Sequence, residues 1–340
     1  MPLDYTGKVA LRGAQIAEVG LELLFTDESI AKGVVKVNSD SKHGVVKTET
    51  SNDLNEQAYT GQALTADGNF TLFDYQVNLV KGESKVDILQ DTLRNTPMGE
   101  DMAKGAANID APRFMQLAVD QLGAKAAYKA SKQRWTGITA ATKTAIAALT
   151  AGAGQGAISA TTKTLVAGLT PSLRDGFLAV SLYNALNATK TAGLGTYIKV
   201  AGTSITEANI AAEYAKIYKA IPVVERDNKM NPFILNAPLS HLAMIKIANN
   251  PTGAASNKNF LDENGVVSYN GIEINFVELP EGIVMGAPKG SLELNIDLLS
   301  DDNTMEVGEY SGGSDVKYFR NINAWAVHVS RQQFNVIYGG

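Results

Sequence analysis

Few residues in this chain of 340 could carry chemistry, since it has three histidines and no cysteine. His43 lies in a polar stretch, His241 in a predicted helix and His328 in a predicted strand. No two of them have the spacing of a zinc site or of a catalytic triad, and His328 follows an apolar run, which favours a structural role. Without cysteine, disulfides, thiolate nucleophiles and thiolate metal ligands are excluded. We predict no catalytic residue and no metal site.

Two further patterns look superficially like functional sites. Residues 152–156 read GAGQG, but they lack the G-x-G-x-x-G spacing and the Gly-Lys-Ser/Thr ending of phosphate-binding loops. The adjacent carboxylates Glu100–Asp101 and Asp301–Asp302 fall in predicted turns, where neighbours in sequence rarely face one ligand. The spacing of a calcium loop is also missing. The chain is therefore predicted to use no cofactor and not to be an enzyme.

Positive charge is concentrated between residues 111 and 135, a predicted helix. This stretch carries five basic residues against one acidic residue, for a net charge of +4. One candidate partner is DNA, whose phosphates attract Lys and Arg without reading sequence. The other is the acidic region 1–110 of another copy of the chain, at net −7. A solvated helix flank is the third interpretation. The candidate contact residues are Lys125, Lys129, Lys132 and Arg134.

The composition describes a protein with a sizeable core. Hydrophobic residues make up 45% of the chain, glycine occurs 31 times, aromatic residues are 7%, and the net charge is −5. This mixture favours strands and turns over a helical bundle. The opening MPLDYTGK does not resemble a secretory signal, and the uncharged run 144–162 is too weakly hydrophobic to be a membrane span. The expected location is the cytoplasm, or a particle assembled there.

Residues 36–68 form an unusually polar stretch. Only nine of these 33 residues are hydrophobic, yet residues 45–50 and 70–80 have strong strand character. Ordering such a segment costs roughly 1–2 kcal/mol per residue, and it holds little apolar surface to offset that cost. Two strands joined by a long polar connection predict an arm whose missing contacts come from other copies. The alternative is a mobile surface loop.

Helical and strand patterns alternate along the rest of the chain. A long helix is predicted from about residue 110 to Trp135, where Gly137 ends it. Residues 138–170, rich in Ala, Thr and Gly, predict a loop-rich insertion. The last fifty residues predict mostly strands, including one continuous run at 323–338. These elements predict the α+β class. Further predicted strands lie at 34–37, 196–202, 231–238, 271–277 and 282–287.

The order of these elements resembles the major capsid proteins of tailed bacteriophages, the Hong Kong 97-like fold, over nearly the whole chain. The polar two-stranded stretch resembles the extended loop of that family, and APRFMQLAVDQLGAKAAYKASKQRWTGI at 111–138 resembles its spine helix. NPFILNAPLSHLAMIKIANN at 231–250 resembles the central strand–helix unit of the axial domain. The tail is similar to a run in family members, in which APK (here 287–289) is followed by DLLSD (here 297–301).

This resemblance implies five segments along the chain. The Ala/Thr/Gly-rich insertion departs from the family's pattern. The segments are an N-terminal arm at 1–30, an extended β-hairpin loop at 31–80, a peripheral domain with a long spine helix at 81–137, an axial domain at 138–285 and the terminal strands of the peripheral domain at 286–340.

The resemblance also implies a structural virion protein. Such a protein self-assembles into pentamers and hexamers that form an icosahedral or prolate head around double-stranded DNA, and it is assembled in the bacterial host cytoplasm. Its expected partners are further copies of itself, portal, scaffolding and decoration proteins, and packaged DNA through non-specific contacts, with no membrane. The alternative is an encapsulin-like nanocompartment shell, which shares the fold and carries enzyme cargo.

Overall fold

A computed structural model describes the chain over residues 9–10, 28–38, 45–54, 68–89, 125–126, 128–149, 160–187, 197–249, 259–263, 266–296, 304–309 and 316–339. The described strands form two large sheets and one separate two-stranded hairpin. Helices pack against the sheets through two buried apolar clusters. The predicted α+β class is therefore confirmed.

The first sheet has six strands: β1 (Val9–Ala10), β2 (Val35–Asn38), β5 (Val80–Leu89), β12 (Leu292–Ile296), β13 (Thr304–Glu309) and β14 (Val316–Val329). Their order is β1–β13–β14–β12–β2, and β5 also pairs with β14. The β2–β12 pair is parallel, and the other described pairs are antiparallel. The long strand β14 thus organises this sheet.

The second sheet has seven strands: β6 (Ile198–Ala201), β7 (Phe233–Pro238), β8 (Phe260–Glu263), β9 (Val266–Tyr269), β10 (Ile272–Val277), β11 (Ile283–Pro288) and β15 (Val336–Gly339). They lie in the order β6–β15–β11–β7–β10–β9–β8. The central strands β7 and β11 are buried at every position. Burial on both faces explains why these stretches are almost uninterrupted apolar runs.

The polar stretch forms a hairpin of its own. Strand β3 (Val45–Leu54) pairs antiparallel with β4 (Gly68–Val77), in a register that runs from Val45 opposite Val77 to Leu54 opposite Gly68. Among the described strands, neither β3 nor β4 pairs with a strand of the two large sheets. The two predicted strands of the arm, and their pairing with each other, are confirmed.

The described helices cover part of the predicted long helix and several later segments. Residues 125–126 and 128–136 are helical, while 111–124 lie outside the described residues. Residues 128–136 are called α2. The other helices are α1 (Glu28–Ala31), α3 (Ala140–Ala148), α4 (Ala160–Gly168), α5 (Phe177–Leu186), α6 (Ile210–Ala220), α7 (Val223–Arg226) and α8 (Leu239–Ala248).

The loop-rich interpretation of residues 138–170 is wrong where the structure describes them, because α3 and α4 occupy much of this stretch. Alanine has the highest helix propensity, so a composition that looked like low complexity suits a helix. Thr139 is the N-cap of α3, because its hydroxyl accepts a hydrogen bond of 3.2 Å from the Thr142 backbone N–H, and a carboxylate distant in sequence holds this cap in place. The carboxylate of Asp175 accepts hydrogen bonds from the Thr139 backbone N–H and the Thr142 hydroxyl, both at 2.6 Å.

One continuous core joins the two sheets. Its buried cluster contains Leu294 and Trp325 of the first sheet, Ile283 of the second, and Phe177 of α5. Trp135, in the last turn of α2, packs against Phe177 with ring centroids 5.2 Å apart. The second cluster covers the opposite face of the second sheet. Its members include Tyr214 and Ile217 of α6, Ile245 of α8, and Leu235, Ile274 and Tyr338 of the sheet.

The end of the chain crosses from one sheet to the other. The single run predicted at 323–338 is wrong, because β14 ends at Val329 in the first sheet and β15 begins at Val336 in the second. A 3-10 turn at Gln332–Phe334 separates them, and Arg331 before it has a left-handed φ of 53°. Strand β11 runs through residues 285 and 286 in the second sheet.

Candidate functional site

Three of the four predicted contact residues share one exposed face of a helix. Lys125, Lys129 and Lys132 are all exposed, and their spacing of four and three residues places them on the same side of the helix. Their side chains make no ion pair or hydrogen bond within the part of the chain that the structure describes. Positive charge on this face is therefore exposed.

Arg134 does not belong to that face. It lies two residues beyond Lys132, a rotation of about 200° around the helix, and it is only 5% exposed. The backbone carbonyl of Arg134 closely approaches Gly176, where a Cβ atom would lie 2.5 Å from the Arg134 oxygen. Arg134 therefore packs inside the subunit, and the candidate surface consists of the three lysines, which we call the lysine row.

A tyrosine on the same helix ties it to the second sheet. The Tyr128 hydroxyl donates a hydrogen bond of 2.9 Å to Oε1 of Glu278, in the loop after β10. This hydrogen bond, with the negative charge of Glu278, raises the pKa of Tyr128 above its ordinary value. Tyr128 is itself exposed, so the contact lies at the surface beside the lysine row. It links the helix to the loop after β10.

Arg174 is a buried arginine that the sequence patterns did not single out. It holds strand β5, which follows the hairpin, in place. Arg174 is 5% exposed and lies in the turn before α5. Its Nε donates to the Val80 carbonyl at 2.7 Å, and its Nη2 donates to the Asn323 carbonyl at 2.6 Å. The guanidinium also stacks 4.7 Å from the centre of the Trp325 ring. Arg174 thus clamps the start of β5, three residues after the hairpin ends.

The position of the Arg174 guanidinium explains why residue 82, inside strand β5, is glycine. A Cβ atom at Gly82 would lie 2.3 Å from Nη2 of Arg174, so any side chain there would force the guanidinium to move. Gly82 lies opposite Asn323 in the β5–β14 ladder, so the guanidinium passes directly over this pair. Glycine in a strand interior often marks such a close approach by another group.

A buried carboxylate joins α6 to the end of the chain. Glu213 is 4% exposed, and it accepts hydrogen bonds from Thr203 at 2.9 Å, from Lys216 at 2.8 Å and from the Tyr338 hydroxyl at 2.8 Å. Burial raises the pKa of Glu213, but these hydrogen bonds outweigh it and hold the pKa below its ordinary value. These hydrogen bonds join the Glu213 side chain of α6 to Tyr338 of β15 and to Thr203 in the loop before α6. The cluster therefore holds α6 against β15.

The histidines stay apart in the structure, as far as it describes them. His241 and His328 are both buried, in α8 and in β14 respectively, and His43 lies outside the described residues. The paired carboxylates at 100–101 and 301–302 and the GAGQG stretch are also outside them. Within the described residues, no group of three or more His, Cys, Asp or Glu is placed to hold a metal ion.

His241 couples stability to pH. Burial lowers its pKa to about 4, and its Nδ1 lies 3.1 Å from the Tyr214 hydroxyl. Between about pH 6.5 and 4 the unfolded chain binds a proton here that the folded chain does not. Stability therefore falls as pH falls through this window, by at most about 3 kcal/mol. In urea unfolding at several pH values, we expect His241→Gln to lose that part of the slope; an unchanged slope would contradict the assignment.

No family model and no curated protein matches the chain. Its fold, in contrast, is similar to that of solved capsid structures. The capsid of an empty GTA particle has a TM-score of 0.57 at 10% identity, covering 92% of this chain and 89% of that one. The capsid of a native GTA particle has a TM-score of 0.52 at 11% identity, covering 98% and 94%.

The satellite phage P4 procapsid, solved with its size determination protein, has a TM-score of 0.50 at 10% identity, covering 93% of this chain and 97% of that one. At identities this low, the structural similarity shows a shared fold. Within the described residues, no helix is long and apolar enough to cross a membrane. The resemblance drawn from the sequence is confirmed at the level of the fold, and the chain has the α+β, Hong Kong 97-like fold of phage capsid subunits.

Proposed function

We propose that the chain is the major capsid protein of a tailed bacteriophage, a structural protein without enzymatic activity. Copies of it assemble into pentamers and hexamers, which form an icosahedral or prolate head around double-stranded DNA. The observation that carries this proposal is the fold, which is shared with capsid subunits over 98% of this chain in one comparison and 92% in another. A shell role also suits a chain in which no cluster of catalytic residues was found by sequence.

The described strands and helices can be assigned to the domains that the resemblance implies. We assign the hairpin β3–β4 to the extended loop, the first sheet with α2 to the peripheral domain, and the second sheet with α6 and α8 to the axial domain. The last strand, β15, is then counted with the axial domain, because it pairs with β6 and β11. In this assignment the N-terminal arm remains at 1–30.

The lysine row is assigned to contacts between subunits. Residues 1–110 of the chain carry a net charge of −7, whereas residues 111–230 carry +8, so neighbouring copies can offer unlike surfaces to each other. DNA is the competing partner. We favour the subunit because the whole protein is acidic, at −5, and because a coat that gripped the genome would hinder its release.

The proposed location is the virion, after assembly in the cytoplasm of the bacterial host. Portal, scaffolding and decoration proteins are proposed as further partners, along with packaged DNA held by non-specific contacts. Capsid interfaces of this kind spread over much of the subunit surface, so many modest contacts add up without one dominant residue. The lysine row is one such contact.

Electron microscopy of the purified protein tests the proposal. We expect closed shells when concentrated protein is incubated over a range of salt and crowding conditions, with a matching rise in light scattering. Shells isolated from an infected host should contain dense nucleic acid. Shells that contain protein cargo instead would indicate the nanocompartment alternative. A monodisperse monomer under all of these conditions would contradict both.

A further inference from the structure

Strand β5 forms an outer edge of the first sheet. Residues 317–322 of β14 pair with both β5 and β13, so these two strands lie on opposite edges of β14. Among the described strands, none pairs with the other edge of β5. An edge of ten residues presents a row of N–H and C=O groups that can hydrogen-bond to another strand.

Both faces of this strand are open beyond Gly82. Lys81 and residues 83–87 are all exposed, although alternate residues of a strand point to opposite faces. Val86 is 46% exposed, so the apolar side is not covered by the subunit's own core. Proteins usually protect such edges with proline, bulges or charge, and β5 relies on charge alone.

The charges have a self-complementary order. Lys81, Glu83, Lys85 and Asp87 alternate in sign along one face of the strand. If a second β5 runs antiparallel with the two Ser84 residues opposite each other, Lys81 faces Asp87 of the partner subunit and Glu83 faces Lys85 of the partner subunit. Opposite charges on directly opposed residues stabilise strand pairs, and like charges destabilise them. A parallel copy in register would oppose like charges.

We propose that β5 pairs antiparallel with β5 of a second copy, about a two-fold axis at Ser84, and so joins the first sheets of two subunits. This contact deepens the proposed function, because it is one interface of the self-assembling shell. It is isologous, so it closes with two copies and does not propagate into fibres. Lysines at the edge discourage strands that lack the matching acidic residues.

Contacts within the subunit prepare the charged face. Nε of Arg320 lies 2.9 Å from Oε1 of Glu83, and Nζ of Lys85 lies 4.6 Å from the centre of the Tyr318 ring. These contacts hold the Glu83 and Lys85 side chains along β14 and restrict their motion before a second copy arrives. Ordering that is already present in the free subunit lowers the cost of association.

The absence of cysteine from the chain allows a direct test. Opposed residues in an antiparallel pair have Cα atoms roughly 4.5–5.5 Å apart, which suits a disulfide. We expect Ser84→Cys to form covalent dimers under mild oxidation. Ser204→Cys, at an exposed position in the loop before α6, is the matched control. Equal, or slower, dimer formation by Ser84→Cys would overturn the proposal.

Charge exchange supplies a second test in the Ser84→Cys background. Glu83→Lys alone and Lys85→Glu alone each oppose like charges, and each should lower the dimer yield about tenfold. Mixing the two variants restores both opposite-charge pairs and should restore the dimer. Arg320→Gln removes only the internal ion pair that orders Glu83, so it should lower the yield far less than either charge reversal. Failure of the mixture to recover would overturn the pairing.

The outcomes separate this contact from the shell itself. Closed shells without the Ser84 disulfide would overturn the pairing and leave the proposed function standing. A Ser84 disulfide in a protein that forms no shell would support the pairing and count against the shell.

Discussion

Replacing Arg174 with alanine is expected to lower the free energy of unfolding by about 3–4 kcal/mol, because it removes two charge-assisted hydrogen bonds to backbone carbonyls and leaves those carbonyls without this donor. The carbonyls belong to Val80 of β5 and Asn323 of β14, so the Arg174 side chain links these two strands. Arg174→Lys keeps the charge but not the forked geometry, so it should lie between alanine and the parent. Urea unfolding of the unassembled protein, followed by the fluorescence of Trp135 and Trp325, measures the change.

Gly82 provides a cycle that isolates this contact. Gly82→Ala should destabilise the parent by roughly 1–3 kcal/mol, since the new Cβ would overlap Nη2 of Arg174. In the Arg174→Ala background the same change should cost less, because the guanidinium is gone and a contact with Leu173 Cδ2 at 3.1 Å remains. Arg320→Ala, which removes an exposed ion pair on the same ladder, is the matched control and should cost about 1 kcal/mol or less. Equal costs of Gly82→Ala in both backgrounds would contradict the clamp.

The double variant Lys125→Glu with Lys129→Glu is expected to impair shell assembly even when no DNA is present. Two exposed positive charges become negative on the lysine row, so attraction to an acidic neighbour turns into repulsion. At about 1 kcal/mol for each residue, the association constant of each contact should fall on the order of thirtyfold. High salt should weaken assembly of the parent for the same reason. Light scattering and electron microscopy of DNA-free samples measure both effects.

The matched control for this experiment reverses two other exposed lysines, Lys219→Glu and Lys246→Glu, on α6 and α8. The control pair carries the same change in net charge, and its assembly should stay near that of the parent. If the Lys125–Lys129 variant forms normal empty shells but packages DNA poorly, the lysine row faces DNA. If both assembly and packaging are normal, the row is an ordinary solvated helix flank.

The candidate surface was partly predictable. A spacing of four and three residues placed Lys125, Lys129 and Lys132 together, because helical periodicity is a local property of the sequence. Arg134 is two residues after Lys132, so the same periodicity places it off that face. Counting the charges of the segment does not show this. Nothing in the sequence around Arg174 marks it as a clamp, since its partners lie 94 and 149 residues away in the chain.

Strands of the second sheet were predictable for a similar reason. NPFILNAP and GIEINFV carry their own apolar pattern, and the structure places β7 and β10 within them as parallel neighbours. The hydrogen bonds of buried polar groups inside these strands could not be predicted from the local pattern. Asn275 donates from Nδ2 to Oδ1 of Asn236 at 2.9 Å and to Ser29 of α1 at 3.2 Å, and this pairing exists only once three distant segments meet.

The amino-acid sequence by itself determined the α+β class, the two-stranded hairpin, the buried strands of the second sheet and the periodicity of the lysine row, because each depends on residues close together in the chain. Tertiary structure decided the rest. Asp175 hydrogen-bonds to the Thr139 N-cap of α3 from 36 residues further along the chain. The last residues of the chain divide between two sheets at Arg331, where the backbone turns left-handed. Gly82 is required because Arg174 and Leu173 lie directly over it. Contacts between distant segments leave no periodic trace in the sequence, so only the folded chain reveals them.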